Sequence, residues 1–294
     1  MTSALAYPSQ LLLAYYTGVS PDTIGTAGLN ALALAFFDPL ALSQANCDFS
    51  GLSSPCLAPA SGSGNKDLLF VHTTVNETLS QLVGPSPLYL ISFGGANCGG
   101  AEWDKILGDE SLSAAFGTNA AALVAALEAA YPTASFGIDL DIEGTSTTLP
   151  SIGSLVTAYR AGANTNALQL CALSGLALPS SSDHFKVQIL TEYGPAQSGF
   201  SHVNMMVAPN DGSCLYYAPF WNHSALSFLP AGSRVGGVWG EIYPTWILHG
   251  PGCVDGAAPL FQWMQAENVG VGVWQWWDGP SDGVAALISA VKAT

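Results

Sequence analysis

Short apolar runs recur along the chain, each followed by a loop bearing Gly or Asn and then by a helix-like stretch. The runs are Leu11–Thr17, Leu32–Phe37, Leu88–Phe93, Phe136–Glu143, Leu168–Leu173, His202–Ala208, Val235–Ile242 and Val271–Trp277. They are short and rich in Val, Ile, Leu and aromatic residues, as strands buried on both faces should be. Helical spacing is clearest over Ala114–Ala130, Ile152–Ala161, Pro259–Glu267 and Asp282–Val291. Strands alternating with helices predict a parallel α/β sheet. Eight strands fit a closed (β/α)8 TIM barrel, and a doubly wound sheet is the competing layout. No linker or low-complexity tract divides the 294 residues, so residues 1–294 are expected to form one domain.

One run departs from apolar monotony. Phe136-Gly137-Ile138-Asp139-Leu140-Asp141-Ile142-Glu143 places an acidic residue at every second position. Side chains alternate faces along a strand, so Asp139, Asp141 and Glu143 point one way, and Leu140 and Ile142 point the other. Carboxylates gathered inside a barrel must be paired, share protons or do chemistry. Like charges at that spacing raise at least one pKa, and a raised carboxylic acid at a strand's C-terminal end is suited to general acid catalysis. Two other readings stay open on the residues alone. Asp-x-Asp-x-Glu is a possible Mg²⁺ or Ca²⁺ chelate, and the cluster is otherwise a structural one.

Composition narrows the partners. The chain is 49% hydrophobic and 9% charged, which supports a large core and excludes disorder. Six basic residues stand against 21 acidic ones, a formal charge of −15. That field repels phosphate backbones and anionic lipid, so nucleic acid and membrane are not expected partners, whereas a neutral polysaccharide is compatible. The scattered His72, His184, His202, His223 and His249 show no metal-ligand spacing, and neither a metal nor a cofactor is expected. No phosphate loop is present. The six cysteines contain no CxxC pair and read as disulfides, with Cys47 and Cys56 the most plausible local bridge. Cys171 lies in an apolar run, where a buried free thiol is the alternative. Sequons at Asn76 and Asn222 add to an expectation of a secreted, extracellular glycoprotein.

The carboxylate run resembles the D-G-x-D-x-D-x-E motif on the fourth barrel strand of glycoside hydrolase family 18, with Gly137, Asp139, Asp141 and Glu143 matching. Ser92-Phe93-Gly94-Gly95 resembles that family's S-x-G-G on the third strand, and Trp274 its sugar-floor Trp on the eighth. Tyr15 resembles a site-lining position on the first strand, and the length resembles the compact, hevamine-like members without an α+β insertion. The resemblance implies a chitinase-type hydrolase of β-1,4-linked N-acetylglucosamine polymers, acting with retention. It implies that Glu143 protonates the glycosidic oxygen, Asp141 orients the substrate's 2-acetamido group as the nucleophile, and Asp139 shares a proton with Asp141. Chitin or N-acetylglucosamine oligosaccharides are the implied partners, and the protein is expected to act as a monomer. Trp239, near Glu241, is a further cleft candidate, and Trp103 either lines an outer subsite or anchors a helix.

Two positions depart from the family pattern. Phe136 replaces the motif's first Asp, so Asp139 is expected to lack one hydrogen bond. On the sixth strand Met206 fits the first position of M-x-Y, which puts Ala208 where a Tyr steadies the acetamido oxygen. Losing such a donor typically costs about 10²–10³ in rate. Tyr216 or Tyr217 in the following loop, or Asn204 in a shifted register, are the candidate replacements. The departure leaves a catalytically weakened, chitin-binding protein as one alternative function. Another is an endo-β-N-acetylglucosaminidase acting on N-glycans.

Overall fold

A computed structural model describes residues 11–16, 29–44, 47–50, 54–58, 88–95, 99–143, 150–173, 184–206, 226–239 and 265–276. Eight parallel strands close on themselves in chain order, β1 pairing with both β2 and β8. They are β1 (Leu12–Tyr16), β2 (Ala31–Phe37), β3 (Leu88–Gly94), β4 (Ser135–Asp141), β5 (Ala167–Leu173), β6 (His202–Met206), β7 (Arg234–Trp239) and β8 (Gly270–Trp276). Closure excludes the doubly wound layout, because an open sheet leaves its edge strands unpaired and here the β1–β8 ladder joins them.

Period-two alternation sorts the strand residues into two layers. Phe136, Ile138, Leu140 and Ile142 join the buried cluster between barrel and helices, with Phe93, Phe116, Leu123, Leu127 and Leu155. Leu11, Leu13, Tyr15, Ala31, Ala33, Ala35, Leu88, Leu90, Ala167, Cys171 and Val235 fill the interior. Small alanines on β2 leave room inside the barrel, and the half-buried Phe36 and Met206 pack against the same interior cluster. The Ala35–Phe36 peptide is cis, and the β2–β3 register shifts between Leu34 and Phe37.

The helix Glu110–Ala130 starts four residues before the predicted Ala114, because Asp109 caps it by accepting from the amides of Ser111 and Leu112. By length and composition it would suffice to cross a membrane. Its buried Phe116, Ala120, Leu123, Val124 and Leu127 lie at helical spacing and pack into the layer over the barrel. It crosses the helix Ile152–Gly162 so closely that a Cβ on Gly117 would lie 2.3 Å from the Leu155 carbonyl oxygen. Among the described residues three α-helices escape the apolar pattern, the short Pro39–Leu42, Gly99–Leu107 and Lys186–Tyr193. The predicted helix Asp282–Val291, and most of Pro259–Glu267, lie outside the described residues. Cys47 and Cys56 form a disulfide, as their spacing suggested.

His202 opens β6, buried inside the barrel in register with Gln169. Burial first, and then the positive charge of Arg160, lower its pKa from 6.5 to about 4. The unfolded chain therefore binds a proton near pH 6.5 that the folded chain refuses until about pH 4. His202 thus contributes stability that is present above the unfolded value and is lost as pH falls to the folded one, about 3 kcal/mol in full. Denaturant titrations should show His202→Gln losing less stability than wild type between these pH values, by a margin of that order.

Candidate active site

The C-terminal half of β4 carries the acidic ladder. Asp139 and Asp141 lie inside the barrel, 0% and 2% exposed, and Glu143 follows two residues beyond the strand's end, half-buried. Asp139 is held from two neighbouring strands. Ser92 Oγ on β3 donates to its Oδ2 at 2.6 Å, and Gln169 Nε2 on β5 donates to its Oδ1 at 2.9 Å. The Cys171 thiol, also on β5, donates to the same Oδ1 at 3.1 Å. Burial raises the Asp139 pKa, and the hydrogen bonds from Ser92, Cys171, Gln169 and Tyr15 oppose that rise without cancelling it.

The expected loss at Phe136 does not occur. Positions 136 and 139 are three residues apart on a strand and so face opposite sides. Phe136 stacks on Tyr89, ring centroids 5.6 Å apart, in the layer under the helices. An Asp there would face that layer, whereas Asp139 takes its donors from β3 and β5.

Below the ladder lies a polar layer. Tyr15 is buried, with its hydroxyl 2.9 Å from Cys171 Sγ and accepting from Asn204 Nδ2 at 2.9 Å and Gln169 Nε2 at 3.3 Å. Burial, and then the neighbouring carboxylates Asp139 and Asp141, hold its pKa well above that of a free phenol. Cys171 is a buried free thiol, but its neighbours are polar where its apolar run suggested otherwise. Burial and the carboxylates push its pKa well up, so it remains a thiol and a donor. Asn204 does not stand in for the absent sixth-strand Tyr, because its amide donates inward to Tyr15 and Cys171.

The S-x-G-G segment holds β4 from the other flank. Gly94 and Gly95 have φ of 111° and 88°, and the Gly95 amide donates to the Asp141 carbonyl at 3.1 Å. A Cβ on Gly94 would lie 2.0 Å from that carbonyl oxygen, so only glycine permits the approach. Trp103 is buried and its Nε1 donates to the same oxygen at 3.1 Å, which makes it a helix anchor rather than a wall of an open subsite.

At the rim, Trp239 on β7 and Trp274 on β8 are paired in register, and Met206 pairs with Gly237. The side chains of Trp239 and Trp274, and all of Ala208, Tyr216 and Tyr217, lie outside the described residues. Sequence reasoning missed Gln169 and Lys186. Gln169 was detectable as a polar residue among Ala167, Leu168 and Leu170 on a strand buried on both faces. Among the described residues no group of three His, Cys, Asp or Glu side chains is arranged to hold a metal ion.

No known family's sequence profile matches the chain, and no curated protein matches it in sequence. Solved structures do match. A family 18 chitinase from Pseudoalteromonas aurantia superposes with a TM-score of 0.57 at 14% identity, over 95% of this chain and 99% of that one. The class V chitinase from Nicotiana tobaccum gives 0.57 at 12%, over 96% and 99%. The spore cortex-lytic enzyme SleL of Bacillus megaterium gives 0.59 at 10%, over 96% and 73%. The likeness is one of fold: the chain has the (β/α)8 barrel of the family 18 chitinases.

Two outcomes follow from this geometry. Gly94→Ala should destabilise the protein by about 3 kcal/mol or more, read by denaturant unfolding, because φ and the Asp141 carbonyl both exclude a Cβ. Ser92→Ala should raise the Asp139 pKa further, since the hydroxyl favours the ionised form. An unmoved Asp139 midpoint in carboxyl-carbon NMR would contradict that assignment.

Proposed function

We propose that this protein is a chitinase-type glycoside hydrolase that cleaves β-1,4-linked N-acetylglucosamine chains with retention of anomeric configuration. The observation that carries the reading is the ladder Asp139, Asp141 and Glu143 at the C-terminal end of β4, with Asp139 buried and held by the neutral donors Ser92, Gln169 and Cys171. TIM-barrel enzymes place their chemistry at that end of the strands. The barrel's likeness to family 18 chitinases supports the same substrate class.

In this reading Glu143 is the general acid. Its partial exposure gives it access to a glycosidic oxygen. Asp141 accepts the substrate's acetamido N–H and aligns its carbonyl oxygen on the anomeric carbon. The C–O bond to the leaving sugar breaks as Glu143 protonates it, giving an oxazolinium ion. Water, deprotonated by the same Glu143, then opens that ring, and both displacements together retain configuration. Asp139, with its pKa raised by burial, shares a proton with Asp141 as charge develops. Trp274, Trp239 and Tyr15 are the proposed sugar-contacting or site-lining aromatics, with Met206 at the rim. The Cys47–Cys56 disulfide supports an extracellular setting.

Chitin oligomers should be cut to short oligosaccharides, with the β-anomer formed first, as followed by proton NMR. Glu143→Gln should lower kcat by about 10²–10⁴ while oligomer affinity stays within a few-fold. Saturable binding with no turnover by wild type would instead favour a chitin-binding protein. Trimming of a high-mannose glycoprotein to one sugar on Asn would favour the endo-glycosidase.

A further inference from the structure

We propose that Lys186 is a positioning residue for Glu143, clamping the peptide group that carries the acid. The proposal rests on the reading of Glu143 given above.

Lys186 is one of only six basic residues in the chain, and it is 0% exposed. It opens the helix Lys186–Tyr193, whose N-terminus has no side-chain cap. A basic group in a first helical turn opposes the helix dipole, and burying one is costly. An apolar side chain would avoid both costs. Neither helix formation nor burial therefore accounts for a lysine at this position.

Its contacts supply another reason. Lys186 Nζ donates to the carbonyl oxygen of Ile142 at 2.6 Å and to that of Cys171 at 3.5 Å. The β4–β5 register ends at Asp141 and Cys171, so the Ile142 carbonyl lies just past the paired strands. That carbonyl belongs to the same peptide group as the Glu143 amide. Lys186 thus extends the ladder one step, bridging the ends of β4 and β5 where strand pairing stops. On the opposite flank the preceding carbonyl, that of Asp141, accepts from the Gly95 amide and Trp103 Nε1. Two successive carbonyls leading into Glu143 are therefore fixed from β3's side and from β5's side. A general acid must sit within hydrogen-bond reach of the atom it protonates, and an error near 1 Å costs about 10²-fold in rate.

The test compares Lys186→Met, which keeps length and removes the donor, with Lys186→Arg, which keeps a donor. Far-UV circular dichroism and thermal melting check folding. If the Met variant does not fold, Lys186→Gln takes its place. On chitin oligomers the Met variant should lose about 10²-fold in kcat with KM within about threefold, and Arg should restore part of the loss. A kcat per folded molecule equal to wild type, whatever the change in melting temperature, would overturn the proposal. A second readout does not need turnover. The Glu143 amide resonance should move or broaden in the Met variant relative to amides at the far end of β4, and an unmoved resonance would overturn the clamp. Should wild type itself show no turnover, the functional reading fails and the amide resonance alone decides the clamp.

Discussion

Asp139 is wholly enclosed by the barrel, and an ionised carboxylate in that setting needs several donors to hold it. The hydroxyl of Ser92, the amide of Gln169 and the thiol of Cys171 donate to it, and all are neutral. A cationic partner would pull the carboxyl into its ionised form. Neutral donors moderate the cost of burial without removing it, so the pKa stays raised and the group remains able to hold a proton. Much of the interior is arranged around this requirement. β3 supplies Ser92, β5 supplies Gln169 and Cys171, and β1 and β6 supply Tyr15 and Asn204 behind them.

Such a network works only if the strands keep a fixed separation and register. Closure of the sheet provides that, since every strand has two neighbours and no edge can slip. The end of β4 is where the ladder of strand pairing gives out and where the acid begins. There the backbone is secured by other means: the close approach of Gly94 and Gly95, the Trp103 indole, and Lys186. These contacts give up local stability, through the conformational entropy of two glycines and a buried amine, in exchange for a defined path of the chain into Glu143. The acidic composition fits this picture. With 21 acidic and six basic residues, few cations exist to neutralise a carboxylate cluster, and one of them is placed on backbone carbonyls beside it.

The apolar runs located the strands because strands buried on both faces leave little else to pattern. Alternation on β4 also separated Asp139 and Asp141 from Ile138 and Leu140 correctly, because the strand period is fixed by covalent geometry. Applied to Phe136, the same parity would have shown that its side chain cannot face Asp139. Of the described helices that were missed, the two longer ones have local reasons. Gly99–Leu107 opens on two glycines, and Lys186–Tyr193 buries a lysine where helical spacing calls for an apolar residue.

By itself the sequence determined the order of the strands, the two faces of β4 and the acidic ladder, since all of these depend on period and composition over a few residues. It also determined the Cys47–Cys56 bridge, whose partners lie nine residues apart. Only the tertiary structure decided what surrounds Asp139. Ser92 lies 47 residues before it and Gln169 30 after, while the Asn204–Tyr15 contact spans 189. Such contacts arise from barrel closure and strand register, which bring together residues whose local sequence carries no trace of one another.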